Sequence, residues 1–159
     1  MGLIYSTKLP MFRLGYPTVS DKYNVSGGVL ATTEKAGVPY GTILMNTSAA
    51  GEYAPFDGKN VATIAGPMVA VNVKLADPFT DLVKVMPGEA CSLMLDGYIA
   101  LELAADTDTT KITEGTPVTF VGSDATGKIG LGGTVIPGWY FTGLTENGMA
   151  EVEIVRHGA

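Results

Sequence analysis

Charge is what this sequence lacks most. Only 16% of its 159 residues are charged, against roughly 25% in an ordinary soluble domain. Hydrophobic residues make up 46%, an ordinary share. A lone monomer covers its surface with Lys, Arg, Asp and Glu, whereas interface cores are depleted of charge. Two readings of the shortage stay open. Other subunits cover part of the surface, or Thr, Ser, Asn and Gly supply the polarity.

Cations are scarcer still. Lys and Arg number 10 against 16 Asp and Glu, for a net charge of −6. They form no run along the chain. A phosphate-binding surface needs clustered cations, so nucleic acid is excluded as a partner. Long apolar runs are missing too. The best candidate, residues 62–76, is broken by Gly66, Pro67, Asn72 and Lys74, and a membrane helix needs about 20 apolar residues. The first residues carry no cationic stretch followed by an apolar one, so no signal peptide is expected.

Cysteine and histidine occur once each, as Cys91 and His157. One cysteine forms no internal disulfide and no multi-thiolate metal site, which fits synthesis in a reducing cytoplasm. In an apolar strand Cys91 reads as a small core residue. Ser–His–Asp or Cys–His catalysis would have to use His157, which stands beside Arg156 and reads as a solvated side chain. Zinc sites lack ligands. The loop around Asp106 and Asp108 resembles a calcium loop only in part: Lys111 stands at position six in place of Gly, and Pro117 at position twelve in place of Glu. The glycine-rich stretch at residues 127–133 lacks the Gly-Lys-Ser/Thr of a P-loop, and Val135 replaces the third Gly of a dinucleotide fingerprint. It reads as a hairpin. No catalytic residue, metal or cofactor is expected.

What is present is punctuation. Gly (21) and Pro (9) divide the chain into short β-branched and aromatic runs. That spacing predicts many short strands in a sandwich or barrel. Asp96-Gly97, between two apolar runs at residues 90–103, predicts a hairpin with a type I′ turn. Residues 149–155 alternate, with Ala150, Val152 and Ile154 on one face and Glu151 and Glu153 on the other. Further strands are expected at 38–45, 53–56, 61–74 and 118–121, with turns at 57–60 and 123–127. Residues 138–143 read as a short aromatic strand, with alternate members of Trp139, Tyr140 and Phe141 facing the core. Asp77-Pro78 starts either one helical turn or the lead into a strand.

Residues 1–23 differ from the rest. Leu3, Ile4, Tyr5, Met11, Phe12, Leu14 and Tyr16 are spaced by Gly2, Pro10, Gly15 and Pro17. The segment is too apolar for a solvated tail and too broken for a long helix. It reads as an extended arm that docks on a partner, followed by one β-rich domain at 24–159.

Two stretches carry a resemblance. Residues 41–71, GTILMNTSAAGEYAPFDGKNVATIAGPMVAV, resemble lambda-type head decoration proteins of tailed phages: a strand, a small-residue turn, an aromatic, an Asp-Gly turn, then an apolar strand. Residues 85–101, VMPGEACSLMLDGYIAL, followed by 112–120, ITEGTPVTF, are similar to phage structural cement proteins. The resemblance implies a mainly β protein, a small antiparallel β-barrel, β-tulip or sandwich with an extended N-terminal arm and at most one or two short helices. It implies a virion structural protein on the capsid exterior, bound to the major capsid protein and bridging its subunits. Such proteins are often homotrimers, and some are dimers. The arm residues Leu3, Ile4, Tyr5, Met11, Phe12, Leu14 and Tyr16 would bind the capsid by adding a strand to a sheet edge. Rival readings are a carbohydrate- or receptor-binding module on the virion, which needs exposed aromatics around Trp139, and a tail or adaptor protein.

Overall fold

In a computed structural model the described residues are 12–19, 23–32, 35–70 and 84–156. They are mainly β, with eleven strands and two single 3-10 turns. Glycines and prolines interrupt the apolar runs often enough that most strands stay short. The first seven are β1 (Asn24–Leu30), β2 (Val38–Pro39), β3 (Ile43–Asn46), β4 (Glu52–Pro55), β5 (Ile64–Pro67), β6 (Lys84–Val85) and β7 (Ala90–Glu102). They are followed by β8 (Pro117–Val121), β9 (Lys128–Gly130), β10 (Thr134–Glu146) and β11 (Met149–Ile154). Nine form one sheet in the order β5-β3-β4-β1-β7-β11-β10-β8-β9, and β2 pairs with β6. The sheet is not closed into a barrel. Its pairs are antiparallel except β1–β4, which is parallel.

The organising element is β7, and here the sequence expectation fails. Asp96-Gly97 makes no hairpin; the strand runs straight through it for 13 residues. Its first half pairs with β1, from Val29 opposite Ala90 to Asn24 opposite Asp96. Its second half pairs with β11, from Ile154 opposite Gly97 to Met149 opposite Glu102. Gly97 takes a φ of 132° at the change of partner, a conformation that glycine reaches cheaply. Each half of the sheet then curls back toward β7. Met68, just after β5, bridges Leu93, and Ile129 of β9 bridges Leu103.

The curl gives two apolar clusters. The larger draws on both halves, from Ile43, Phe56 and Met94 to Ile99, Phe120, Trp139, Phe141 and Val152. The smaller holds Leu30, Val38, Leu44, Met68, Val85, Cys91 and Leu93. Phe56 and Phe120 meet edge to face across the halves, centroids 4.8 Å apart at 82°.

Other boundaries shift as well. The strand expected at 38–45 is two, β2 and β3, separated by a turn at Gly41 with φ 85°. Residues 61–63 form a 3-10 turn capped by the Asn60 side chain before β5 begins. The aromatic strand at 138–143 is the middle of the longer β10. Trp139 and Phe141 face the core and Tyr140 is half-buried. Asp77-Pro78 lies outside the described residues, while Lys84 and Val85 are in β6. The turns at 57–60 and 123–127 are present. So is the alternation in β11, although Glu151 is only 9% exposed and accepts a bond from Thr142 Oγ1 at 2.8 Å.

The hairpin that does form is β10–β11. Its two turn residues are Asn147 (φ 50°) and Gly148 (φ 75°), between the paired Glu146 and Met149. Both have the positive φ of a type I′ turn. Asn147→Ala is expected to lower stability by about 1–2 kcal/mol, the cost of left-handed backbone without the asparagine side chain. Urea unfolding reads it, and an unchanged midpoint would refute the turn assignment.

Candidate functional site

The segment expected to form an arm meets the rest of the fold at β7 through residues 12–19. Of its residues, Leu3, Ile4, Tyr5 and Met11 lie outside the described residues. Phe12 is buried (2% exposed), and Leu14 and Tyr16 are half-buried. Residues 12–19 run antiparallel to the second half of β7. Gly15 N donates to Ala100 O (2.9 Å), Ala100 N to Tyr16 O (3.3 Å) and Thr18 N to Tyr98 O (3.0 Å). Pro17 stands opposite Ile99. A proline suits this edge position because it has no N–H to place. Ala70 N donates to Gly15 O at 2.8 Å, so the arm is held on a second side as well.

The seat depends on two glycines. Gly15 has φ 75°, and a Cβ there would run into the backbone of Tyr40 and Gly41. A Cβ on Gly41 would meet Leu14 Cδ1 at 2.6 Å. Two backbones thus cross with no side chain between them. Around the crossing, Tyr16 packs edge-on against Tyr40 at 6.4 Å, and the Arg13 guanidinium lies 4.7 Å from the Tyr16 ring centre. Cation–π contacts of this kind contribute about 0.5–1 kcal/mol when exposed.

Beside the seat is a half-open, mostly apolar groove of about 960 Å³. Leu14 forms part of its wall, with Val29, Ile43, Phe56, Leu101 and Phe120. It therefore lies between the two halves of the sheet. Lys128 pairs with Glu102 at 3.1 Å, both half exposed, and Glu52 also lines it. The β8–β9 turn supplies one stretch of wall through Ala125, Thr126 and Gly127.

That turn is shaped by a carboxylate. Asp124 Oδ1 accepts from Thr126 N (2.9 Å) and Thr126 Oγ1 (2.6 Å). Asp108 does the same with Thr110 at 3.1 and 2.6 Å, capping the second 3-10 turn. In both, the bonds from the threonine hold the carboxyl below its ordinary value. A depressed folded pKa adds stability above the unfolded value, lost as pH falls through the folded one. Asp124→Ala should therefore lower Tm at pH 7, with the gap to the parent closing below about pH 4. Melts across pH 2–7 check it, and a gap independent of pH would count against the hydrogen-bonded turn.

Catalytic candidates find no support in the geometry. Cys91 is buried, and burial pushes its thiol up, away from the reactive thiolate. His157 lies outside the described residues. Among the described residues no group of three or more His, Cys, Asp or Glu could hold a metal ion. Trp139 is 5% exposed, so it offers no stacking platform. Of the groove residues, only Leu14 was singled out as a docking residue in the sequence. Val29, exposed beside Gly27-Gly28, was the available signal: an apolar residue on a face the domain does not cover.

No curated protein matches this chain. Among solved structures, a chain from "The capsid of Myoviridae Phage XM1" matches with a TM-score of 0.68 and 15% identity, over 96% of each chain. At that identity the likeness is one of fold. The family model described as structural cement protein (E217 gp24/Pam3 gp6) matches residues 13–155. The match runs from the arm seat through the end of β11, and the family is capsid-associated, structural and non-enzymatic. This chain belongs to the phage structural cement protein family.

Proposed function

We propose that this protein binds the outside of a phage capsid, contacts the major capsid protein and holds neighbouring capsid subunits together. The observation that carries this reading is the cement-family match across residues 13–155. The shortage of charge supports it, since a surface covered by partners needs less. The buried Trp139 removes the main reason for a carbohydrate-binding alternative.

The arm divides into two parts on this reading. Phe12, Leu14 and Tyr16 anchor it to its own domain. Leu3, Ile4, Tyr5 and Met11 reach the capsid, where extended backbone adds to a sheet edge and apolar side chains fill pockets. Burial there contributes about 25 cal/mol per Å² before the costs of association. A homotrimer would multiply these contacts, and avidity would compensate for weak single ones. The test is binding to capsids that lack the protein. A chain without residues 1–11 should lose most of its occupancy. Full occupancy by the truncated chain would refute the arm's role, and failure of the intact chain to bind would refute the proposed function.

A further inference from the structure

The tip of the β10–β11 hairpin brings together a reactive side chain and an unguarded backbone nitrogen. The chain's asparagines are Asn24, Asn46, Asn60, Asn72 and Asn147. The first four precede β-branched residues, Val25, Thr47, Val61 and Val73; Asn147 precedes Gly148. A β-branched side chain crowds the amide nitrogen that follows an asparagine, and a glycine leaves it open.

The structure separates them further. Asn46 Nδ2 donates to Thr63 O (3.4 Å), and the next amide, Thr47 N, donates to Glu52 O (3.3 Å). Asn60 Oδ1 accepts from Ala62 N at 3.0 Å. Asn24 lies in β1. At the hairpin tip, by contrast, no hydrogen bond among the described residues reaches the Asn147 side chain or the Gly148 amide. Both residues are exposed, and a Cβ built on Gly148 would meet nothing within 4 Å. No packing at the tip therefore opposes the change of backbone angles that would bring Gly148 N onto the Asn147 side chain.

We propose that Asn147 is a site of spontaneous deamidation, with water as the co-reactant and isoaspartate as the damaging product. Solvent base removes the Gly148 amide proton, and that nitrogen attacks Asn147 Cγ. A bond forms from Gly148 N to Cγ, the bond from Cγ to Nδ2 breaks, and the side-chain nitrogen leaves as ammonia. The product is a succinimide ring. Water then adds to one of its carbonyls. Opening at Cγ gives aspartate. Opening at the backbone carbonyl gives isoaspartate, in which the main chain runs through Cβ and Cγ. Water is taken up, ammonia is released, and nothing is oxidised or reduced.

The two products load the fold differently. Asp-Gly also suits a type I′ turn. Isoaspartate adds a methylene to the main chain of the turn that joins the paired Glu146 and Met149. The same turn is tied to the end of β7, because Leu103 N donates to Gly148 O at 2.8 Å. β11 pairs with β7 from Met149 to Ile154, so distortion at the tip reaches the central strand. Either product also adds a carboxylate beside Glu146, taking the net charge from −6 to −7.

The test incubates the folded free protein at physiological temperature across neutral and mildly alkaline pH. Trypsin then releases residues 129–156, in which Asn147 is the sole asparagine and glutamine is absent. This peptide should gain the mass of an amide-to-acid change and resolve into aspartate and isoaspartate forms. Its conversion should accelerate as pH rises, while peptides holding the other asparagines stay unchanged. The isoaspartate form of the whole protein, separated by ion exchange, should melt about 2–8 °C below the parent. Asn147→Asp carries the same added charge without the added methylene and should melt close to the parent. Conversion in urea but not in the folded protein would mean that the turn holds Gly148 N away from Cγ, and would overturn the proposal. So would earlier conversion at another asparagine, or an isoaspartate form that melts with the parent. Every readout uses free protein and is independent of the function proposed above.

Discussion

Gly15→Ala is expected to lower stability by about 2–4 kcal/mol, summing left-handed backbone at ~1–2 kcal/mol and overpacking at ~1–3 kcal/mol. Both terms apply because φ is 75° and the new Cβ meets backbone, not the flexible end of a side chain. The opposing backbone has little freedom to move. Gly41 N donates to Met68 O at 2.7 Å, and Met68 N donates to Thr42 O at 2.8 Å. The strain should fall on the arm, the less connected partner. Amide exchange at Gly15 and Thr18 should accelerate more than exchange in β11. Urea unfolding gives the total. A loss below about 0.5 kcal/mol, the size of an ordinary surface change, would mean that the crossing is looser than described.

The largest core effect is expected at the contact between the halves. Phe56→Ala and Phe120→Ala should each cost about 3–5 kcal/mol, the range for deleting a buried phenylalanine. That is a large part of the roughly 5–15 kcal/mol available to a domain. Phe56 is 2% exposed and Phe120 is 4% exposed, so both rings are buried although they line the groove. Their edge-to-face geometry adds a coupling of about 0.5–1.5 kcal/mol, which a double-mutant cycle isolates. Because one follows β4 and the other lies in β8, on opposite sides of β7 in the sheet order, each variant should still melt in one transition. A two-step melt in Phe56→Ala, with near-ultraviolet signal from Trp139 outlasting the rest, would mean that the halves are separate folding units.

Two dipeptides show how far local chemistry could be read from the sequence. Asp96-Gly97 and Asn147-Gly148 are both strong signals for a type I′ turn. The second makes that turn and the first does not. The difference lies outside the dipeptides. Around Asp96, the flanking residues Leu93, Met94, Ile99 and Leu101 are wanted by two different clusters. A hairpin would stack those residues on each other. Pairing one half with β1 and the other with β11 buries all of them, and tertiary burial overrides the local preference. The mainly β class was legible because period-two alternation and glycine spacing are local properties. The order of strands was not, because β7 takes partners from far along the chain in both directions.

The same limit applies to the site. Phe12, Leu14 and Tyr16 were recognisable as residues that dock, because apolar side chains in a broken segment need a surface. Which surface they take was not legible. It depends on Gly15 passing Gly41, a meeting of two backbones with no pattern in sequence. The groove was hidden for the same reason: Val29, Phe56 and Phe120 become neighbours only after the sheet has curled.

The divided loyalty of β7 also sets an order of events in synthesis. Its first half can pair with β1, which the ribosome has already delivered. Its second half must wait for β11, the last strand described, and loops closed over such distances make sheet formation slow, on the ms–s scale. Until β11 arrives, residues 97–102 present an open strand edge rich in Ile99, Ala100 and Leu101, the kind of template on which nascent chains pair wrongly. Residues 12–19 are made early and lie along that half of β7 in the finished fold. In a nascent chain the segment just before the domain would serve as an internal chaperone, shielding one side of the waiting strand until its permanent neighbour is made.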